Sequence, residues 1–111
     1  MRLSRIAYLQ TVIETGIFSS KANKVWAPSD YEKFIVYIAA NPRAGEVVVG
    51  SGGVRKIRWT KGNRGKSGGV RIIYFTSSSK VIWLLTLYSK NEHETIPAHE
   101  LKKIKEAIDG D

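Results

Sequence analysis

Residues 81–88, Val-Ile-Trp-Leu-Leu-Thr-Leu-Tyr, are apolar at almost every position and rich in β-branched and aromatic types. A run of this length is a strand rather than a helix. Being apolar on both faces, it is expected at the centre of a sheet. Two further strands precede it, over 54–60 and 70–76. Alternation in the first puts Lys56 and Arg58 on one face and Ile57 and Trp59 on the other. The connections, 61–69 and 77–80, are short, which makes the three strands an antiparallel meander.

The rest of the chain supplies a first strand and helices. Residues 8–15 read as a first strand, and 18–27 are ambiguous, with a short helix as one reading. Pro28 then precedes Ser29-Asp30-Tyr31-Glu32, the pattern of a capping box. Tyr31, Phe34, Ile35 and Ile38 follow at i, i+3, i+4 and i+7, one apolar stripe that belongs to a core. Asn41-Pro42 ends that helix. Val47-Val48-Val49 is a short apolar run and Ser51-Gly52-Gly53 a turn. Pro97 opens a closing helix whose apolar face is Leu101, Ile104 and Ile108. The expected fold is α+β: a small, twisted, mainly antiparallel β-sheet with helices packed on one side, in the order β-α-(α)-β-β-β-α. At 111 residues the chain reads as a single domain, 1–111, with 1–7 as an N-terminal extension.

There is no cysteine, which removes disulfides and thiolate metal sites. No run approaches the ~20 apolar residues of a membrane helix. The start, Met1-Arg2-Leu3-Ser4-Arg5, is basic, but the apolar run after it is broken by Gln10, Thr11 and Glu14, and no cleavage site follows. A cytoplasmic location is expected.

Charge is distributed unevenly. Residues 47–91 hold nine lysines and arginines and no aspartate or glutamate, whereas 92–111 hold three basic and six acidic residues. A solvated face normally mixes signs, so a carboxylate-free stretch of this length is expected to attract a polyanion. Arg55, Lys56, Arg58, Lys61, Arg64, Lys66 and Arg71 lie within 17 residues, on two adjacent strands and their loop. Folding is expected to gather them. Trp59, Tyr74 and Tyr88 interleave and have faces on which bases stack, although alternation sends Trp59 to the core with Ile57; Trp83 is a core residue as well.

Other motifs fail on context. Gly65-Lys66-Ser67 lacks the glycine of a phosphate loop at position 60, where Thr60 stands, and leads into a strand rather than a helix. Gly65-Lys66-Ser67-Gly68-Gly69 spells a nucleophile elbow without the required strand-turn-helix. His93 and His99 have Glu92, Glu94 and Glu100 nearby, but no helical histidine pair exists, so neither a metal nor any other cofactor is expected. Cutting RNA through its own 2′-hydroxyl asks less of a protein. It needs in-line positioning, stabilisation of the extra charge at phosphorus and two proton transfers. Arginine forks suit that charge, a lysine crowded by cations releases a proton more readily, and a tyrosine assists or holds a base. By themselves these residues argue for RNA binding more strongly than for chemistry.

Three blocks carry a resemblance: Gly50-Ser51-Gly52-Gly53-Val54-Arg55-Lys56-Ile57-Arg58-Trp59, then Gly65-Lys66-Ser67-Gly68-Gly69-Val70-Arg71-Ile72-Ile73-Tyr74, then Leu87-Tyr88-Ser89-Lys90-Asn91-Glu92. Together they resemble the RelE/ParE toxin superfamily, HigB-type branch, over roughly residues 8–108. The resemblance implies the toxin of a type II toxin–antitoxin pair, a ribosome-dependent mRNA endonuclease (mRNA interferase) that enters the ribosomal A site and cuts mRNA without metal. It implies catalytic roles for Lys56, Arg58, Arg71, Lys90 and Tyr88, with Arg71 stabilising charge at the scissile phosphate. Arg55, Lys61, Arg64 and Lys66 would hold rRNA or mRNA phosphates. The implied partners are an antitoxin of helix-turn-helix, HigA-like type and the ribosome, with DNA reached only through the antitoxin complex and no membrane. The chain departs from RelE proper at Asn91, where an arginine stands, and at Ile96-Pro97, in the region of a catalytic tyrosine; Tyr88 and His93 are the nearest replacements. The same fold also serves a ParE-like inhibitor of DNA gyrase, and the same basic residues serve an RNA-binding module without chemistry.

Overall fold

The computed structural model describes residues 10–60, 69–77, 80–89 and 96–109. In chain order these form β1 (Val12–Glu14), α1 (Gly16–Val25), α2 (Pro28–Ala40), β2 (Glu46–Val47), β3 (Arg55–Trp59), β4 (Val70–Thr76), β5 (Ile82–Ser89) and α3 (Ala98–Asp109). The five strands make one sheet in the order β1-β5-β4-β3-β2. β1 runs parallel to β5, with Val12 opposite Ile82, and the other pairs are antiparallel. The meander and the interior position of β5 follow the sequence reading. Among the described residues no helix is long and apolar enough to cross a membrane.

α1 and α2 cover one face of the sheet. Phe18, Ala22, Trp26, Phe34 and Ile38 pack there on Ile57, Val70, Ile72, Tyr74, Ile82, Leu84 and Leu87. α3 covers part of the other face, where Leu101 joins Val54, Ile73, Phe75 and Leu85. The expectation of helices on one side only is therefore corrected. The reason lies in the two interior strands: β4 and β5 alternate apolar with apolar, so both faces need a cover. Leaving Ile73, Phe75 and Leu85 in water would cost about 1.5–3 kcal/mol for each side chain.

Two helix starts differ from the sequence reading. The ambiguous stretch 18–27 is the helix α1, and its cap is Thr15. The Thr15 hydroxyl accepts from the Phe18 N–H at 3.0 Å and donates to the Leu85 carbonyl at 2.8 Å. One side chain thus closes the helix and ties it to β5. For α2 the expected capping box at Ser29 does not form: Ala27 is the cap residue, without a side-chain bond, and Pro28 is the first helical residue. Proline has φ already set for that position and no N–H to satisfy, so the helix begins ahead of Ser29.

Aromatic packing joins α1 and α2 to β3. The Trp26 and Phe34 rings stack at 5.4 Å and Phe34 meets Trp59 edge-on at 5.2 Å. The Trp26 indole N–H donates to the Thr60 carbonyl at 2.9 Å, so its polar edge is satisfied inside the core. Gly69, just ahead of β4, has φ of +71°, and a Cβ there would lie 2.1 Å from the Trp59 carbonyl oxygen. Only glycine allows the returning strand to approach β3 so closely.

Tyr74 ties the α2–β2 connection to the sheet. Its buried hydroxyl donates to the Pro42 carbonyl at 2.9 Å and accepts from the Gly45 N–H at 2.8 Å. Burial raises the Tyr74 pKa above 10.0, and burial with the bond to Glu14 pushes Tyr31 up to about 12. Both phenols hold their protons more tightly folded than unfolded. Their contribution to stability is present in full below about pH 10 and is lost as pH rises through the folded values. Tyr74→Phe is expected to remove its share of that alkaline loss. It also lowers stability at neutral pH by about 1–3 kcal/mol, because the Gly45 N–H loses its acceptor. Denaturant unfolding across this pH range checks both, and unchanged neutral-pH stability would show that the hydroxyl does not secure the loop.

Candidate nucleic-acid interface

Strand register decides which basic residues meet. In the β3–β4 pair Arg58 lies opposite Arg71 and Lys56 opposite Ile73. In the β4–β5 pair Arg71 lies opposite Tyr88. Residues directly opposite share a face, with Cα atoms about 4.5–5.5 Å apart. Arg58, Arg71 and Tyr88 therefore form a row across three adjacent strands, with Lys56 two residues along β3 on the same face. This is the face that α3 covers, but α3 packs toward Val54 and Phe75, at the opposite end of these strands. The Lys105 ammonium lies there, 5.5 Å from the centre of the Phe75 ring. Lys56 and Arg58 are exposed and Arg71 and Tyr88 half-buried, Tyr88 with its ring against the second core cluster.

Tyr88 reaches this row through a bulge. Ile73 pairs with Thr86, but Tyr74 pairs with Leu84, so Leu85 has no opposite number. The extra residue shifts the phase of β5. Leu84 and Leu87, three apart, both face the first core cluster, and Tyr88 falls on the side of Arg71. Strict alternation from Trp83 and Leu85 would have sent Tyr88 to the opposite side.

The seven clustered cations do not all converge. Arg55 has the parity of Ile57 and points away from Lys56. One of its terminal nitrogens, Nη1, donates to the Gly45 carbonyl at 2.7 Å and to the Arg43 carbonyl at 3.4 Å. The expected gathering is corrected at this residue, because neighbours in a strand face opposite ways. Lys61, Arg64, Lys66 and Lys90, with His93, lie outside the described residues. Glu46 joins the site unannounced. β2 places it opposite Lys56 in the register, at the edge of the sheet. Its sequence signal was only the short apolar run after it, which starts at Val47 and does not give the register.

Two guanidinium groups on directly opposed residues repel each other, which costs a sheet roughly 0.2–1 kcal/mol. Such an arrangement suits an anion with several oxygens, since each fork presents paired N–H donors. A half-buried phenol at the end of the row adds an aromatic surface and a hydroxyl. Together the four side chains can hold a phosphate and an adjoining base. Arg58→Thr is expected to raise the unfolding free energy by about 0.2–1 kcal/mol, by relieving the repulsion, and to weaken binding of a single-stranded RNA. Thermal melts and binding isotherms check the two effects; a marked fall in Tm would show that Arg58 is instead part of the framework. No protein-family model matches the chain, so the geometry of this row carries the reading of the site.

Proposed function

We propose that the chain is an RNA-cutting protein, a toxin of the RelE/ParE type that cleaves mRNA on the ribosome and so stops translation. The observation that supports this best is the row Arg58, Arg71 and Tyr88, with Lys56 beside it, across three adjacent strands. In the proposed reaction the ribose 2′-oxygen attacks the adjacent phosphorus as its proton passes to a base. The bond to the 5′-oxygen breaks, that oxygen is protonated, and a 2′,3′-cyclic phosphate remains. Arg58 and Arg71 stabilise the charge that builds on the non-bridging oxygens. Lys56 binds a neighbouring phosphate or serves in proton transfer, and Tyr88 holds the base or assists. Lys90 is proposed to join them from the end of β5, and Lys61, Arg64 and Lys66 to hold further phosphates from the β3–β4 loop. The protein groups cover charge, position and proton transfer, so the proposed route calls on no metal or other cofactor.

A chain of this activity needs an inhibitor in its own cell. A helix-turn-helix antitoxin that covers the basic face is the proposed partner. The test is to induce the chain without its antitoxin and map mRNA 5′ ends soon afterwards. Cuts confined to translated regions, lost when initiation is blocked, are expected. Arg71→Ala, folded as judged by its melt, is expected to abolish them. Intact mRNA with a DNA-damage response would replace this reading with gyrase inhibition, and intact mRNA with normal growth would leave a binding module.

A further inference from the structure

A second cationic site lies at the other end of the strands. A cleft of about 330 Å³ opens between the start of β1, the α2–β2 loop, the start of β3 and the β4–β5 turn. Arg43, Arg55 and Lys80 line it, with Thr76 and Gln10, and no carboxylate is among the lining residues described. Pro42 and Gly53 complete its walls.

The fold fixes the Arg55 guanidinium and the backbone that carries the other two cations. The Arg55 Nη1 bonds to the Gly45 and Arg43 carbonyls fix its planar fork, which has further donors to offer. Arg43 sits in a tight turn closed by the Ala44 N–H on the Asn41 carbonyl at 3.1 Å, and that turn rests on the Tyr74 hydroxyl through Pro42. Lys80 has φ of +66°, a left-handed conformation that glycine or asparagine would adopt more readily. Its N–H donates to the Ser77 carbonyl at 2.8 Å, which holds it in that state.

Gln10 adds a second requirement. Its backbone N–H donates to the Ala39 carbonyl at 3.1 Å. Its side-chain Oε1 is buried and has no hydrogen-bond partner among the described residues. A buried acceptor without a donor is costly; Gln10 also lines the cleft, and a turn of its amide toward the cleft would let a bound hydroxyl satisfy it. Three cations need an anion and the amide oxygen needs a hydroxyl. A ribose phosphate carries both.

We propose that this cleft binds a ribonucleotide phosphate, from either an RNA chain or a free nucleotide. The site lies away from the Arg58, Arg71 and Tyr88 row, and it can fail or hold independently of the nuclease reading. On an RNA chain it would be a second anchor, gripping the backbone at the far end of the sheet.

The test uses the full chain and the double variant Arg43→Gln with Lys80→Gln. Both residues are exposed, and melts check that the variant folds. Two probes are titrated: adenosine monophosphate, followed by amide shifts in NMR, and a short fluorescent RNA, followed by anisotropy at several salt concentrations. Adenosine monophosphate is expected to shift the amides of Arg43, Gly53, Thr76 and Lys80 saturably, and the double variant to bind it at least about tenfold more weakly. If the RNA is the source of the phosphate, the double variant also lowers the salt slope of RNA binding by about two, one for each cation removed. RNA binding left unchanged, with nucleotide binding lost, assigns the site to the free nucleotide. Shifts that spread over Arg58 and Arg71 instead, or equal affinity in the double variant for both probes, overturn the proposal. Arg71→Gln is the control: it leaves this cleft intact while it removes a member of the row, so failure of one site is told apart from failure of the other.

Discussion

The pairing of β4 with β5 is the constraint on which the other parts of this fold depend. Both strands are interior and apolar on both sides, so neither can settle until each face has a cover. α1 and α2 take one face, and α3 the other. The ladder between β4 and β5 also carries the bulge at Leu85, which puts Tyr88 on the side of Arg71. The same Leu85 offers its carbonyl to Thr15, so the strand irregularity and the start of α1 meet at one residue. A shift in this register would displace the hydrophobic layers and the basic row together.

The framework and the polar face share a boundary at β3. Its odd-numbered residues, Ile57 and Trp59, join the aromatic layer with Phe34 and Trp26, while Lys56 and Arg58 stay exposed. Arg55, also odd-numbered, lies where that layer ends and spends one of its nitrogens on loop carbonyls. One strand of five residues thus feeds two cationic regions on opposite faces of the sheet. Tyr74 supports the second of them from the core, since its hydroxyl holds the loop that carries Arg43. Basic residues set opposite each other, as Arg58 and Arg71 are, work against the stability of a sheet. Conflicts of this kind between local stability and sequence are expected where a protein binds a ligand.

Much of the architecture was legible in the residues. The apolar run at 81–88 announced an interior strand, the alternation over 54–60 separated Lys56 and Arg58 from Ile57 and Trp59, and Asn41-Pro42 marked the end of α2. The start of α2 was misread because a capping box and a first-position proline compete within two residues, and the geometry of proline prevails. The two-sided cover was missed because periodicity shows that a strand is apolar on both faces without showing what packs there. Within the basic cluster, proximity in sequence was a good guide for Arg58 and Arg71 and a poor one for Arg55, whose parity alone sends it away.

The sequence by itself determined the meander of β3, β4 and β5, the excess of cations over 47–91 and the parity of the side chains within β3, since these depend on local geometry and composition. Tertiary structure decided which of those side chains meet. Register between strands, the extra residue at Leu85, the placement of Glu46 opposite Lys56 and the cleft around Gln10 all arise from contacts between residues far apart in the chain. Local propensity does not encode these distances, because they are set only when both faces of β4 and β5 have been packed.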